Sequence, residues 1–326
     1  MDVLSDVITL MRTGHPLTAR ERKSGPWSER HGPFPGAGFH VVLRGGCWLI
    51  PLQGQPIALG TGDVVLLPRG SEHALSHTPE VQWDSIPRGL HHELRRSPSI
   101  EDATAAADSL PDRVSADLLC GAYQLDQERT HPLLAEMPDL VHLPASVGRR
   151  PALRAAVDLL GGDLEQPRLG GVVALTALLD LLLVYIIRTY AEDRAVEPGS
   201  CGWPAALADP AIASALQCMH RDPARAWTVQ DLGAQVGLSR AAFARRFTSL
   251  VGQPPLAYLT WWRLATAARM LREDDAPLAS IASRVGYSSQ FAFANAFKRE
   301  YGQAAGGYRK HWRQPRTGAQ GDPALG

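Results

Sequence analysis

Between about Phe34 and Leu75 the apolar residues come in short bursts: Phe39–Leu43, Cys47–Pro51, Ile57–Leu59 and Val64–Leu67. Arg44-Gly45-Gly46, Gln53-Gly54-Gln55, Gly60-Thr61-Gly62-Asp63 and Pro68-Arg69-Gly70 separate them. Glycine and proline supply the backbone angles that turns need, so bursts bounded this way read as strands. Regularly spaced short strands predict a small β-barrel or sandwich. Residues 76–115, rich in Pro, His, Ser and Asp, are expected as loops with one or two further strands, and strand character returns in Asp117–Asp126 and Leu140–Leu143. Past Pro144 the spacing becomes helical. One segment covers Arg150–Leu160, and a second runs from near Leu169 to about Asp193, after breaks at Gly161-Gly162 and Pro167. Ala195–Pro204 reads as a linker. Helices are then expected at 209–221, 228–236, 239–251, 255–273, 278–285 and 289–301, with a disordered tail from Gln314.

The helical end contains a duplication. Leu232, Val236 and Gly237 return 49 positions later as Ile281, Val285 and Gly286; Phe243, Phe247, Gly252 and Tyr258 return 50 positions later as Phe293, Phe297, Gly302 and Tyr308. Each copy is a short helix, a glycine turn and a serine-started second helix, the outline of a helix-turn-helix whose second helix enters the DNA major groove. At 100° per residue, burying Phe243 and Phe247 turns Ala241, Ala244, Arg245 and Thr248 outward. Arg245 is the base reader expected at guanine, with Ala241 and Ala244 beside it. Ser239, Arg240 and Arg246 are expected at phosphates. In the second copy the outward stripe is Gln290, Phe291, Ala294, Asn295 and Lys298. Asn295 takes the place of Arg245 and suits adenine, Gln290 is a second base contact, and Phe291 either touches a thymine methyl or packs on a neighbouring domain. Ser289, Lys298 and Arg299 complete the phosphate set. The helix 255–273, about 27 Å long at 1.5 Å per residue, would hold the two units at a fixed spacing.

The charge distribution agrees with this picture. The chain of 326 residues is formally neutral, yet residues 1–204 carry 18 Lys/Arg against 25 Asp/Glu, and residues 205–326 carry 15 against 8. A basic end on an acidic partner fits a polyanion bound at one end only. The length favours two domains. The N-terminus lacks the basic flank and cleavage site of a signal peptide. The apolar run Val172–Ile187 is short for a bilayer span, and the four cysteines at 47, 120, 201 and 218 have no metal-type spacing. A reducing cytoplasm, no membrane and no cofactor are the expectations.

Several phrases resemble the AraC/XylS family of transcriptional regulators: DPARAWTVQDLGAQVGLSRAAFARRF, GQPPLAYLTWWRLATAARML, PLASIASRVGYSSQFAFANAFKREYG and GGYR. They cover about the last 105 residues without a gap. The family often has a small polar residue at Phe291 and an arginine at Asn295, so the second unit is expected to read a different base or mainly to position the protein. Gln303-Ala304-Ala305-Gly306 also replaces the family's usual proline-containing phrase. The run from Gly62 to His73 is similar to the second cupin motif, and FHVVLRGGCWL and LLCGAYQLD are similar to phrases in a subgroup that includes regulators responsive to reactive chlorine.

The resemblance implies an α+β two-domain chain: a cupin-like β-barrel sensor domain (1–144), a helical dimerisation segment and linker (145–204), an all-α domain with two helix-turn-helix units (205–314) and a tail (315–326). Its partners would be double-stranded DNA, RNA polymerase, a second copy of the chain and a small-molecule or oxidant effector. His40, His73 and Trp48 are candidates for the effector pocket, and Cys47 and Cys120 for redox sensing. One first-motif histidine with no nearby Glu is too few ligands for a catalytic metal, so no metal is expected. The alternative is a cupin metalloenzyme whose helical domain mediates assembly. The helix 172–190, with Leu175, Leu178, Leu179, Leu182 and Ile186 on one side, serves either dimerisation or internal packing.

Overall fold

A computed structural model describes residues 2–34, 36–88, 115–126, 129–145, 150–166, 168–196 and 201–313. The middle of the expected linker and the expected disordered tail lie outside the described residues. The chain divides into two compact units. One comprises Met11–Asp193; the other comprises Met1–Leu10 together with Arg194–Gly326. Helix α1 (Val3–Met11) begins the chain and therefore belongs mostly to the second unit.

Among the described residues the first unit is built on eight strands: β1 (Leu17–Lys23), β2 (Ser28–His31), β3 (Ala37–Pro51), β4 (Ile57–Gly60), β5 (Val64–Leu67), β6 (His73–Ser76), β7 (Ala116–Tyr123) and β8 (Val141–Leu143). All the strand pairs are antiparallel. The main path runs β1-β7-β3-β5-β8; β2 pairs with β6, and β4 and β6 pair with β3. Val42, Cys47, Leu49, Leu59, Val65, Leu67, Leu75, Leu118 and Cys120 form its buried cluster.

The Arg44-Gly45-Gly46 turn expected from the sequence is instead the middle of the 15-residue strand β3. Before this point β3 pairs with β5 and β7; from Gly46 onward it pairs with β4, and from Trp48 with β6 as well. The register slips between Val42 and Arg44, and Gly45 has φ +74° with a Cβ position only 2.1 Å from the Ser115 carbonyl oxygen. These glycines therefore mark a bulge that re-aims one strand, and no side chain fits there.

Strand β1 was not foreseen because LTARERK has no apolar alternation. Ion pairs replace apolar burial. Arg20 grips Asp117 of β7 through Nε (2.9 Å) and Nη2 (2.6 Å), and Lys23 Nζ lies 2.9 Å from Glu21 and 2.7 Å from Glu29. Short helix α2 (Pro132–Ala135) precedes β8, and α3 (Pro151–Glu165) and α4 (Gly171–Ala195) follow it. Helix α3 runs straight through the expected Gly161-Gly162 break. Helix α4, at 25 residues, is long and apolar enough to cross a membrane by length and composition. In this unit its middle is held by the Tyr123 hydroxyl, which donates to the Leu179 carbonyl at 2.9 Å, and by an Arg12–Asp180 ion pair at 2.7 Å.

The second unit contains α5 (Gly202–Ala208), α6 (Pro210–Arg221), α7 (Val229–Gln235), α8 (Arg240–Val251), α9 (Pro255–Glu273), α10 (Leu278–Arg284), α11 (Gln290–Tyr301) and α12 (Ala305–Arg313). Six of these match the expected helices within a residue or two. Helix α5 begins inside the expected linker, with Trp203 and Pro204 buried, and α12 is additional.

Candidate nucleic-acid interface

Each helix-turn-helix starts from a local rule. Thr228 caps α7: its Oγ1 accepts from the Asp231 amide at 3.1 Å, and Asp231 Oδ2 accepts from the Thr228 amide at 3.1 Å. The Thr228 hydroxyl also donates to Asp231 Oδ2 at 2.6 Å, and this bond, followed by that from the Thr228 amide, holds the Asp231 carboxyl below its usual range. Gly237 and Gly286 close the first helix of each pair at φ +69° and +84°, where a β-carbon is strained. The turn bonds repeat as well. The Leu238 amide donates to Gly233 O and the Tyr287 amide to Ala282 O, each at 2.9 Å. Ser239 and Ser289 then cap α8 and α11, accepting from the amides of Ala242 (3.3 Å) and Ala292 (3.1 Å).

The buried side repeats with the same fidelity. Phe243, Phe247, Phe293 and Phe297 are fully buried, and the ring centroids within each pair are 5.6 Å apart. Tyr258 and Tyr308 are also fully buried against them. Between the two helix pairs, α9 sends Leu264, Ala267, Ala268 and Leu271 into the core of the second pair. On the near side His220 of α6 stacks on Trp262 at 3.5 Å, with its Nε2 2.6 Å from the Tyr258 hydroxyl and its Nδ1 3.4 Å from Asp6 of α1. The last distance is long for a hydrogen bond, and the pair is an ion pair only when His220 is protonated. Burial pushes the His220 pKa down, and Asp6 offsets this in part.

With the phenylalanines inward, the outward faces match position by position. Arg240, Ala241, Arg245, Gln290, Phe291, Asn295, Lys298 and Arg299 are exposed, and Ala244 and Ala294 half-buried. Arg240, Arg245, Lys298 and Arg299 hold no hydrogen bond or ion pair to the described residues, so their charges face solvent. Arg246 differs. It places Nε 2.7 Å and Nη2 2.5 Å from Asp209 Oδ2, and Asp209 also caps α6. A carboxylate 37 residues upstream is invisible to local pattern reading. Ser239 and Ser289 likewise spend their hydroxyls as caps while lying at the exposed start of each reading helix.

In the first unit His40, His73 and His31 come together, each at most 2% exposed. His40 Nε2 lies 2.6 Å from His73 Nε2, and His31 stacks on His73 with centroids 5.4 Å apart. The sequence reading missed His31, because β2 is a polar strand; only its register, His31 opposite His73, places it there. Only the His40 and His73 nitrogens meet at hydrogen-bond distance, and among the described residues no group of three or more His, Cys, Asp or Glu is arranged to hold a metal ion. Trp48 is half-buried on β3 between Cys47 and Leu49, whose side chains enter the buried cluster, so it faces the opposite side of the strand. Cys47 and Cys120 are buried free thiols. Burial, with help from Asp63, raises the Cys47 pKa to about 12, and burial raises Cys120 well above the usual thiol range. Asp63 itself accepts from the amides of Gly60 (3.0 Å) and Ala145 (2.8 Å), pinning the glycine-aspartate turn before β5.

Comparison with known proteins agrees with both halves. A cupin family model matches residues 2–192, and a helix-turn-helix domain model matches residues 232–311. An AraC-like transcription regulator of Streptomyces lividans is 38% identical over 316 residues, covering 97% of this chain and 100% of the relative. One from Streptomyces antibioticus is 37% identical over 313 residues, covering 95% and 99%. The RCS-specific transcriptional activator RclR of Escherichia coli K12 is 28% identical over 320 residues, covering 96% and 99%. Two helix pairs, each with a serine-capped second helix and a solvent-facing stripe, on a chain similar over nearly its whole length to such regulators, place it plainly: it belongs to the AraC-like family of DNA-binding transcription regulators.

Proposed function

We propose that this regulator is a cytoplasmic homodimeric activator whose occupancy of promoter DNA, and contact with RNA polymerase, respond to an effector received inside the β-sheet unit. The observation that carries the reading is the pair of outward faces, repeated in backbone geometry yet different in chemistry, with four exposed cations that hold no hydrogen bond or ion pair to the described residues. Such faces suit base edges flanked by phosphates. In this reading Arg245, Ala241, Ala244, Gln290, Phe291 and Asn295 meet bases; Ser239, Arg240, Ser289, Lys298 and Arg299 lie toward phosphates, and Arg246 does so only on leaving Asp209.

Support for an effector comes from the interior polar groups. His31, His40 and His73 are sequestered from solvent, which suits orientation of a small polar molecule better than packing alone. Oxidant sensing at Cys47 and Cys120 would act on thiols that burial keeps scarcely ionised, whereas thiolate is the reactive form. Support for a dimer comes from α4, where Val172, Val173 and Leu181 are exposed at 58%, 75% and 38%.

The test is transcription with purified RNA polymerase on a template bearing the regulator's selected site, with and without hypochlorite or a small-molecule extract of the cells. The expected result is a several-fold rise in transcript that changes with the addition. Output that is the same under every condition contradicts effector control, and output that falls when the regulator is added contradicts activation.

A further inference from the structure

Phe291 stands apart from the other phenylalanines. Five of the chain's seven are fully buried and Phe34 is half-buried, whereas Phe291 is 84% exposed. It lies in the first turn of α11, the end of a reading helix whose residues reach base edges. In the first helix-turn-helix the same position is Ala241, and one turn further on Asn295 replaces Arg245. The two reading faces therefore differ in kind. Around Ala241 the face is cationic, while around Phe291 it is a phenyl ring flanked by the carboxamides of Gln290 and Asn295, with Lys298 and Arg299 set back toward the far end of the helix.

We propose that Phe291 reads the C5-methyl group of a pyrimidine in the major groove, making the site of the second helix-turn-helix A·T-rich and methyl-dependent where that of the first helix-turn-helix is guanine-dependent. The inference rests on the DNA-reading role of α11 and adds its specificity. In the major groove only thymine, among the unmodified bases, presents an apolar group, and adenine presents the donor–acceptor pair that a carboxamide matches. A phenyl beside a carboxamide at i+4 thus complements a thymine next to an adenine. The ring recognises the methyl and not the rest of the base, so 5-methylcytosine would satisfy it and cytosine would not.

The experiment starts from the duplex that the full-length chain selects from random DNA, and uses the half-site whose preference survives Arg245→Ala. Each thymine there is replaced by deoxyuridine, which deletes the methyl and nothing else, and cytosine and 5-methylcytosine are compared at the responsive position. At one step the wild-type chain is expected to lose about fourfold in affinity, the factor given by burial of one methyl-sized group, and to bind 5-methylcytosine better than cytosine. Phe291→Ala should bind thymine and deoxyuridine duplexes equally, while Phe291→Leu keeps part of the discrimination. If no thymine responds, or if Phe291→Ala retains the full thymine preference, the inference is overturned, and the exposed ring serves a protein partner or nothing. A guanine-dependent site that ignores every methyl would overturn this inference alone; failure to select any sequence would overturn the DNA-reading role with it.

Discussion

At the scale of single residues, the reading face is separated by partners more than by type. Lys298 and Arg246 are both cations on a reading helix, but Lys298 faces solvent and Arg246 is held by Asp209. A lone phosphate contact adds affinity without base preference, so Lys298→Ala should weaken binding to all duplexes alike. It should also reduce the slope of log affinity against log salt by about 0.9. A loss confined to certain bases would make Lys298 a base reader. The positions of Arg240, Arg245, Asn295 and Lys298 were legible because helical periodicity and two buried phenylalanines fix them. The tie of Arg246 to Asp209 was not legible, since it joins elements far apart in sequence. The same holds for His31, whose neighbours are set by strand register alone.

At the scale of elements, the helices were readable and the sheet only half so. Caps and glycine turns are local, and they located α6–α11 within a residue or two. Strand β1 hides behind charge because its burial depends on Asp117 and Glu29, and β3 passes through glycines that resemble a turn in the absence of β7. Glycines failed as breakers in α3 too, where packing overrides propensity. Helix α6 carries a buried titration. His220 has its pKa lowered from the ordinary 6.5, first by burial, with Asp6 opposing. The unfolded chain therefore binds a proton more readily than the folded unit. This contribution to stability is complete above about pH 6.5 and is lost as the pH falls from there toward the folded-state pKa. Urea denaturation of the helical unit's signal between about pH 5 and 7.5 should show stability falling on the acid side, and His220→Gln should flatten that fall. An equal acid loss in the variant would place the titration elsewhere.

At the scale of the whole molecule, the uneven charge along the chain and the switch from short apolar bursts to helical spacing were enough to foresee a β-rich unit followed by a helical one. They did not reveal that the first ten residues count with the helical unit, because that association depends on contacts such as Asp6 with His220 and the Leu10 carbonyl with Arg272. In the proposed reading, α8 and α11 meet two different base patterns side by side. This is tested most directly by selecting bound duplexes from random DNA with the full-length chain and with Arg245→Ala. The expected outcome is one site with two blocks, of which the variant relaxes only a guanine-bearing block, at a loss of about 1–3 kcal/mol. A wild-type chain that enriches no sequence, or a variant that selects an unaltered site, would contradict it.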